Sequence, residues 1–130
     1  MIVVDASAIL EILLRTPAAP AVEARIFRPG ESLHAPHLLD VEAAQVIRRY
    51  VARGQIPETR GAQAIEDLAE FPFARYPHVD LLPRIWSLRA NLTAYDATYV
   101  SLAEVLNATL VTRDQRLAAA PGHRIRIEVF

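Results

Sequence analysis

Short apolar runs alternate with longer amphipathic stretches along this chain. Residues 2–4 form a β-branched triplet of the kind that fills a buried strand. Asp5 stops it, and Asp5 or Ser7 is placed to cap a helix running through Leu14. Residues 17–20 carry two prolines and break that helix, and residues 21–27 read as a second short one, closed by Pro29 and Gly30. Residues 32–35 suit a strand before Pro36. Residues 38–53 place Leu38, Leu39, Val41, Ala44, Val46 and Ile47 at amphipathic helix spacing, and Gly54 ends the run.

The second half repeats the alternation. Pro57 and Glu58 open a helix to about residue 69, and residues 71–76 read as a strand whose Pro72 suits an edge position. Residues 80–88 suit a helix with Asp80 as its cap and Pro83 in its first turn. Trp86 on that helix is expected in the core rather than as a base-stacking platform. Thr93 to Asp96 resembles a capping box, with Asp where Glu or Gln is usual, and opens a helix to about Leu106. Residues 109–112 form a second apolar strand, residues 114–120 a short helix, and residues 124–130 alternate as an edge strand does. Strands alternating with helices predict an α/β fold with a parallel sheet covered on both faces. In such sheets ligands bind beyond the carboxyl ends of the strands.

Composition narrows the chemistry. A chain of 130 residues, 52% hydrophobic, predicts one domain spanning residues 1–130 that needs no disulfide or structural metal. There is no cysteine, so thiolate zinc sites and cysteine nucleophiles are excluded. All 14 basic residues are arginine, and any mechanism that depends on a catalytic lysine is excluded with them. That argues against receiver-type and dehalogenase-like phosphotransfer proteins, which pair a strand-end aspartate with a lysine. The net charge of −1 gives no global signature for nucleic acid. The first ten residues lack a basic leader and Asp5 interrupts them, so the protein is expected in the cytoplasm.

Four acids fall where the strand-end rule puts a site. Asp5 ends the first strand and Asp114 follows the strand at residues 109–112; Glu42 and Asp96 lie in the opening turns of helices. Helix N-termini and strand carboxyl ends share one edge of a parallel α/β unit. Gathered there, carboxylates repel one another and raise their own pKa values unless a cation neutralises them. Oxygen ligands of this hardness suit Mg²⁺ or Mn²⁺, which serve phosphodiester hydrolysis. Taken singly, each acid is also explained by helix capping or by the helix dipole; the case rests on the four together. Ser7 is placed to support Asp5, and Thr112 to orient Asp114. Asp40 is read as a first-turn dipole residue, and His34, His37, His78 and His123 as surface or cap residues. Arg48, Arg49 and Arg53 lie on one helix; they are placed to contact phosphates, but a solvated face is the preferred reading. A catalytically silent binding module is the rival reading, and the clustered like charges argue against it.

The segments IVVDASAIL, APHLLDVEAAQVIRR, LTAYDATYVSLAE and TLVTRD, in this order and spacing, resemble the PIN-domain ribonucleases, and within them the VapC toxins of bacterial toxin–antitoxin pairs. The resemblance implies a three-layer α/β/α sandwich with a central, mainly parallel sheet. It also implies RNA cleavage dependent on Mg²⁺ or Mn²⁺, inhibition by a cognate VapB-type antitoxin, and a homodimer that joins the antitoxin in a hetero-oligomer. The family's acids match Asp5, Glu42, Asp96 and Asp114, and its hydroxyl matches Ser7. Two departures stand out: Gln45 where many members have Asn, and Gln115 and Arg116 where some carry a further acid.

Overall fold

A computed structural model describes residues 1–130. Five strands form its sheet: β1 (Ile2–Val4), β2 (Leu33–Pro36), β3 (Phe73–Tyr76), β4 (Thr109–Thr112) and β5 (Ile127–Val129). Their order is β3-β2-β1-β4-β5, and every neighbouring pair is parallel. The helices are α1 (Ala6–Leu13), α2 (Ala19–Ile26), α3 (Leu38–Ala52), α4 (Glu58–Glu70), α5 (Leu82–Ser87), α6 (Ala94–Leu106) and α7 (Gln115–Ala119). Helix α6 packs on β1, β2 and β4, while α1 lies against β4 and α3 against β2. The sheet is thus the middle layer of an α/β/α sandwich.

The central position of β1 follows from its residues. Ile2, Val3 and Val4 are all buried, and only a strand covered on both faces accommodates three consecutive apolar side chains. Val3 pairs with His34 of β2 on one side, and Val4 with Val111 of β4 on the other. From β1 the chain steps outward to β2 and β3, then returns to place β4 on the opposite flank. The direction of winding therefore reverses between β1 and β4, and a crevice opens at the carboxyl ends of such a pair. Asp5 and Asp114 lie at that crevice.

Local signals placed most of the boundaries. Gly54 lies just beyond α3 with φ +69°, the left-handed conformation that closes a helix. Asp5 is the N-cap of α1, accepting from the Ala8 amide, and Thr93 is that of α6. Both outer strands, β3 and β5, were expected at edges and are there. Helix α2 starts at Ala19, earlier than expected, because Pro20 sits in its first turn, where a missing N–H costs nothing. Asp80 is not a helix cap: it lies inside a 3-10 turn, Val79–Leu81, that precedes α5.

Two side chains are placed opposite to expectation. His34 is 8% exposed, not a surface or cap residue. β2 is an inner strand, so His34 is enclosed there and bonds Ser32 Oγ at 2.7 Å and the Tyr76 hydroxyl at 2.6 Å. Trp86 is 69% exposed rather than core, because Leu81, Ile85 and Leu88 supply the buried side of the segment. Its ring instead carries the Arg89 guanidinium, 4.7 Å from the centroid. Asp40 does lie in the first turn of α3, and it also clamps Arg75 of β3 through two bonds of 2.7 and 3.0 Å.

Candidate metal centre

Asp5 is the most enclosed of the four acids, at 6% exposure. Its Oδ1 accepts from Ser7 Oγ at 2.6 Å and from the Ala8 amide at 3.2 Å, and its Oδ2 accepts from Thr112 Oγ1. The two hydroxyls are themselves fixed. Ser7 Oγ accepts from the Arg113 amide at 2.9 Å, and Thr112 Oγ1 from the Asp114 amide at 3.0 Å. Each hydroxyl has one proton, and each spends it on Asp5. The 3.3 Å approach between Ser7 Oγ and Thr112 Oγ1 is therefore a contact with no proton left to share. This network locks the end of β1 to the end of β4 through a carboxylate. Thr112 was expected to orient Asp114; it holds the Asp114 backbone and the Asp5 side chain together.

Burial pushes the Asp5 carboxyl up from the ordinary aspartate range, against the three donors, and the charge of Asp96 pushes the same way. Glu42, in the first turns of α3, is also pushed up, first by burial and then by Asp5 and Asp96. Asp96 is pushed up by burial and by Asp114. Asp5, Glu42 and Asp96 thus feel one another, and Asp96 feels Asp114, as residues on one sheet edge would.

Both oxygens of Asp5 accept bonds, whereas Asp96, Asp114 and Glu42 each leave part of the carboxylate uncommitted. The Asp96 amide donates to Thr93 Oγ1 at 3.1 Å, but the Asp96 carboxylate does not return the capping-box bond to Thr93. Aspartate is one methylene shorter than the usual glutamate, and the Thr93 side chain draws its carboxyl down against burial and Asp114. Asp114 is the N-cap of α7, with Oδ1 accepting from the Arg116 amide at 2.8 Å, so its capping role is real and leaves Oδ2 open. Glu42 Oε1 accepts from the Tyr99 hydroxyl at 2.7 Å and leaves Oε2 open. Tyr99 is the supporting residue that sequence reasoning missed. It sits three positions after Asp96 on α6, so the helix repeat was the available signal. Its phenol is pushed up by burial and by Glu42, and it stays a donor.

No three acidic or imidazole groups are packed closely enough to make a finished ion cage. Mg²⁺ does not need one: it binds through one or two carboxylates and keeps several waters. An all-oxygen set, with Asp5, Glu42 and Asp96 made costly by burial and by neighbouring carboxylates, fits a hard divalent ion.

Comparison with known proteins bears on the family and the fold. Residues 2–122 match the PIN domain family. Ribonuclease VapC9 of Mycobacterium tuberculosis is 48% identical over 118 residues, covering 91% of this chain and 89% of that protein. The crystal structure of PAE2754 from Pyrobaculum aerophilum superposes with a TM-score of 0.72 at 27% identity, over 99% of this chain and 83% of the other. That of VapBC2 from Rickettsia felis, bound to a DNA fragment from its promoter, gives 0.71 at 14% identity over 100% and 99%. A match across nearly the whole chain, on the same α/β architecture, places this protein in the PIN domain family, among the VapC ribonucleases.

Proposed function

We propose that the protein is an endoribonuclease, the toxin of a type II toxin–antitoxin pair, and that Asp5, Glu42, Asp96 and Asp114 hold Mg²⁺ or Mn²⁺. The observation that carries this is that Asp5, at the end of β1, Glu42 in α3 and Asp96 in α6 raise one another's carboxyls, with Asp114 acting on Asp96. When bound, the ion supplies a nucleophilic water and charge stabilisation at the scissile phosphate. Asp5 and Asp96 are the central ligands, and Glu42 and Asp114 complete the set directly or through water. Ser7 and Thr112 fix the Asp5 carboxylate, and Tyr99 fixes that of Glu42. The open Oε2 of Glu42 is left to accept a bond from a water in the crevice. The sequence has no cysteine, and the bonded Ser32–His34 pair lies at the start of β2, the end opposite the acids, so neither offers a covalent route there.

The partner is a VapB-type antitoxin. An apolar groove between α3 and α4, lined by Ala44, Ile47, Val51, Gly61 and Ile65, suits the apolar face of an amphipathic segment. A basic antitoxin side chain reaching the carboxylates would replace the ion. No helix is long and apolar enough to cross a membrane. The protein is read as cytoplasmic, a homodimer that joins its antitoxin in a hetero-oligomer. The test is cleavage of a structured RNA by purified protein with Mn²⁺. Asp5→Asn must abolish it, and equal cleavage by both proteins assigns the activity to a contaminant.

A further inference from the structure

A second depression adjoins the carboxylates, between α1, α3 and the start of α6, with a volume of about 510 Å³. Its floor is apolar, with Leu10, Leu38 and Val46, and Ser7 and Glu42 stand on its wall. It is therefore continuous with the candidate metal centre. On its rim lies Tyr95, 62% exposed and next in sequence to Asp96. Its ring lies against no other aromatic side chain, and its hydroxyl has no partner within the protein. Glu42, Gln45 and Arg49 follow one stripe of α3 and lead away from the acids along the same depression. Arg49 is exposed and takes no part in the ion pairs of the fold.

The geometry points to a subsite for one nucleotide of single-stranded RNA beside the scissile phosphate. Its base stacks on Tyr95, its base edge meets the Gln45 amide, and its phosphate pairs with Arg49. This rests on the ribonuclease reading and names how that site holds its substrate. The chemistry is complementary part by part. An apolar floor and an unpartnered aromatic face suit a base, an amide offers both a donor and an acceptor, and a free guanidinium forks a phosphate. The cation lies away from the acids, where the next phosphate needs an opposite charge that the carboxylate end does not give. Gln45 and Arg49 thereby become specificity residues of a helix whose arginines looked like a solvated face.

The test is steady-state cleavage, with Mn²⁺, of a fluorogenic RNA carrying one mapped cut site, and of the same RNA made abasic at each nucleotide flanking the cut. Tyr95→Ala and Arg49→Gln should each raise KM roughly tenfold, the order expected for one lost stacked base or phosphate contact, with kcat changing less. Tyr95→Phe, which keeps the ring, should restore KM, and Arg53→Gln, outside the depression, should leave it unchanged. One abasic position should raise KM for the wild type and not raise it further for Tyr95→Ala. Persistence of that penalty in Tyr95→Ala, or wild-type KM for both variants while Asp5→Asn is inactive, overturns the subsite and leaves the ribonuclease reading standing. Equal cleavage by Asp5→Asn and wild type fails the ribonuclease reading itself. Unchanged KM together with weakened antitoxin binding by Tyr95→Ala gives the depression to the protein partner and also overturns the subsite.

Discussion

The Tyr99 hydroxyl donates a 2.7 Å hydrogen bond to Glu42 Oε1, so a core side chain of α6 holds an acid of α3. Tyr99 is among the largest fully buried side chains, and the bond fixes Glu42 from the inside of the protein. Tyr99→Phe keeps the packing and removes only the donor. RNA cleavage should fall roughly tenfold, as for partners that orient metal ligands. Stability should fall by about 1 kcal/mol, the net worth of one hydrogen bond. Parallel cleavage assays and thermal melts read both. A stability loss without an activity loss would show that Glu42 needs no fixing.

Thr112→Val makes the corresponding test at Asp5. The variant keeps the shape of the residue, removes the donor to Asp5 Oδ2, and strands the Asp114 amide. Loss of one oriented ligand should weaken Mn²⁺ affinity on the order of tenfold, measured by calorimetric titration. Ser7→Ala should do the same through Oδ1. An affinity equal to wild type in both variants would mean that Asp5 is held by the Ala8 amide alone.

The acids cost stability in the metal-free protein. Burial and Asp114 push the Asp96 carboxyl up, meaning that its charged form is disfavoured in the fold. Asp96→Asn should therefore raise the metal-free melting temperature by a few degrees, roughly 1 kcal/mol. Added Mn²⁺ should stabilise the wild type by mass action and the variant much less. Expression of the wild type without antitoxin should arrest growth, and Asp96→Ala should relieve the arrest. A variant that melts higher and still arrests cells would move toxicity away from this site.

Acid stability should depend on Glu104. The bidentate Arg84 guanidinium, at 2.7 and 2.9 Å, holds its carboxyl below the ordinary 4.5. A depressed folded pKa gives stability that is present above 4.5 and is lost as pH falls below it, through the folded value. Melts from pH 7 downward should show Glu104→Gln less stable by about 1 kcal/mol near neutrality. That difference should close in acid. A constant difference at every pH would assign the loss to packing.

Gly61→Ala tests how closely α3 and α4 approach. A Cβ at Gly61 would lie 2.6 Å from Val51 Cγ2. The helix preference of alanine returns about 1 kcal/mol. Overpacking typically costs about 1–3 kcal/mol, so the clash wins. The variant should be destabilised by roughly 1 kcal/mol in urea titrations and should bind antitoxin more weakly, since Gly61 lines the proposed docking groove. A stabilised variant would show that Val51 moves aside freely.

The sheet was legible because its strands are short apolar runs bounded by Asp5, Pro36 and Asp114, and the order of strands and helices forces them parallel. Asp5 and Asp96 were legible as a strand end and a helix start. Tyr99 was not, because nothing in an aromatic residue amid Ala97, Thr98 and Val100 says that its hydroxyl meets a carboxylate on a helix 57 positions earlier. His34 and Trp86 were misplaced for one reason: burial is decided by which strand is inner and which helix face is covered, and neither is a local property. The open carboxylates of Asp96 and Asp114 were also hidden, since a cap that returns its bond and one that does not are spelled alike.

The bond from Thr112 to Asp5 joins positions 107 apart, and it is made across the neighbouring strands β1 and β4. During synthesis Asp5 emerges first and Asp114 almost last. A growing chain therefore carries Asp5 long before Thr112, which fixes its carboxylate, has been added. The hold on the Asp5 carboxylate is complete only when β4 lies beside β1, so it belongs to the finished fold and to no shorter piece of the chain.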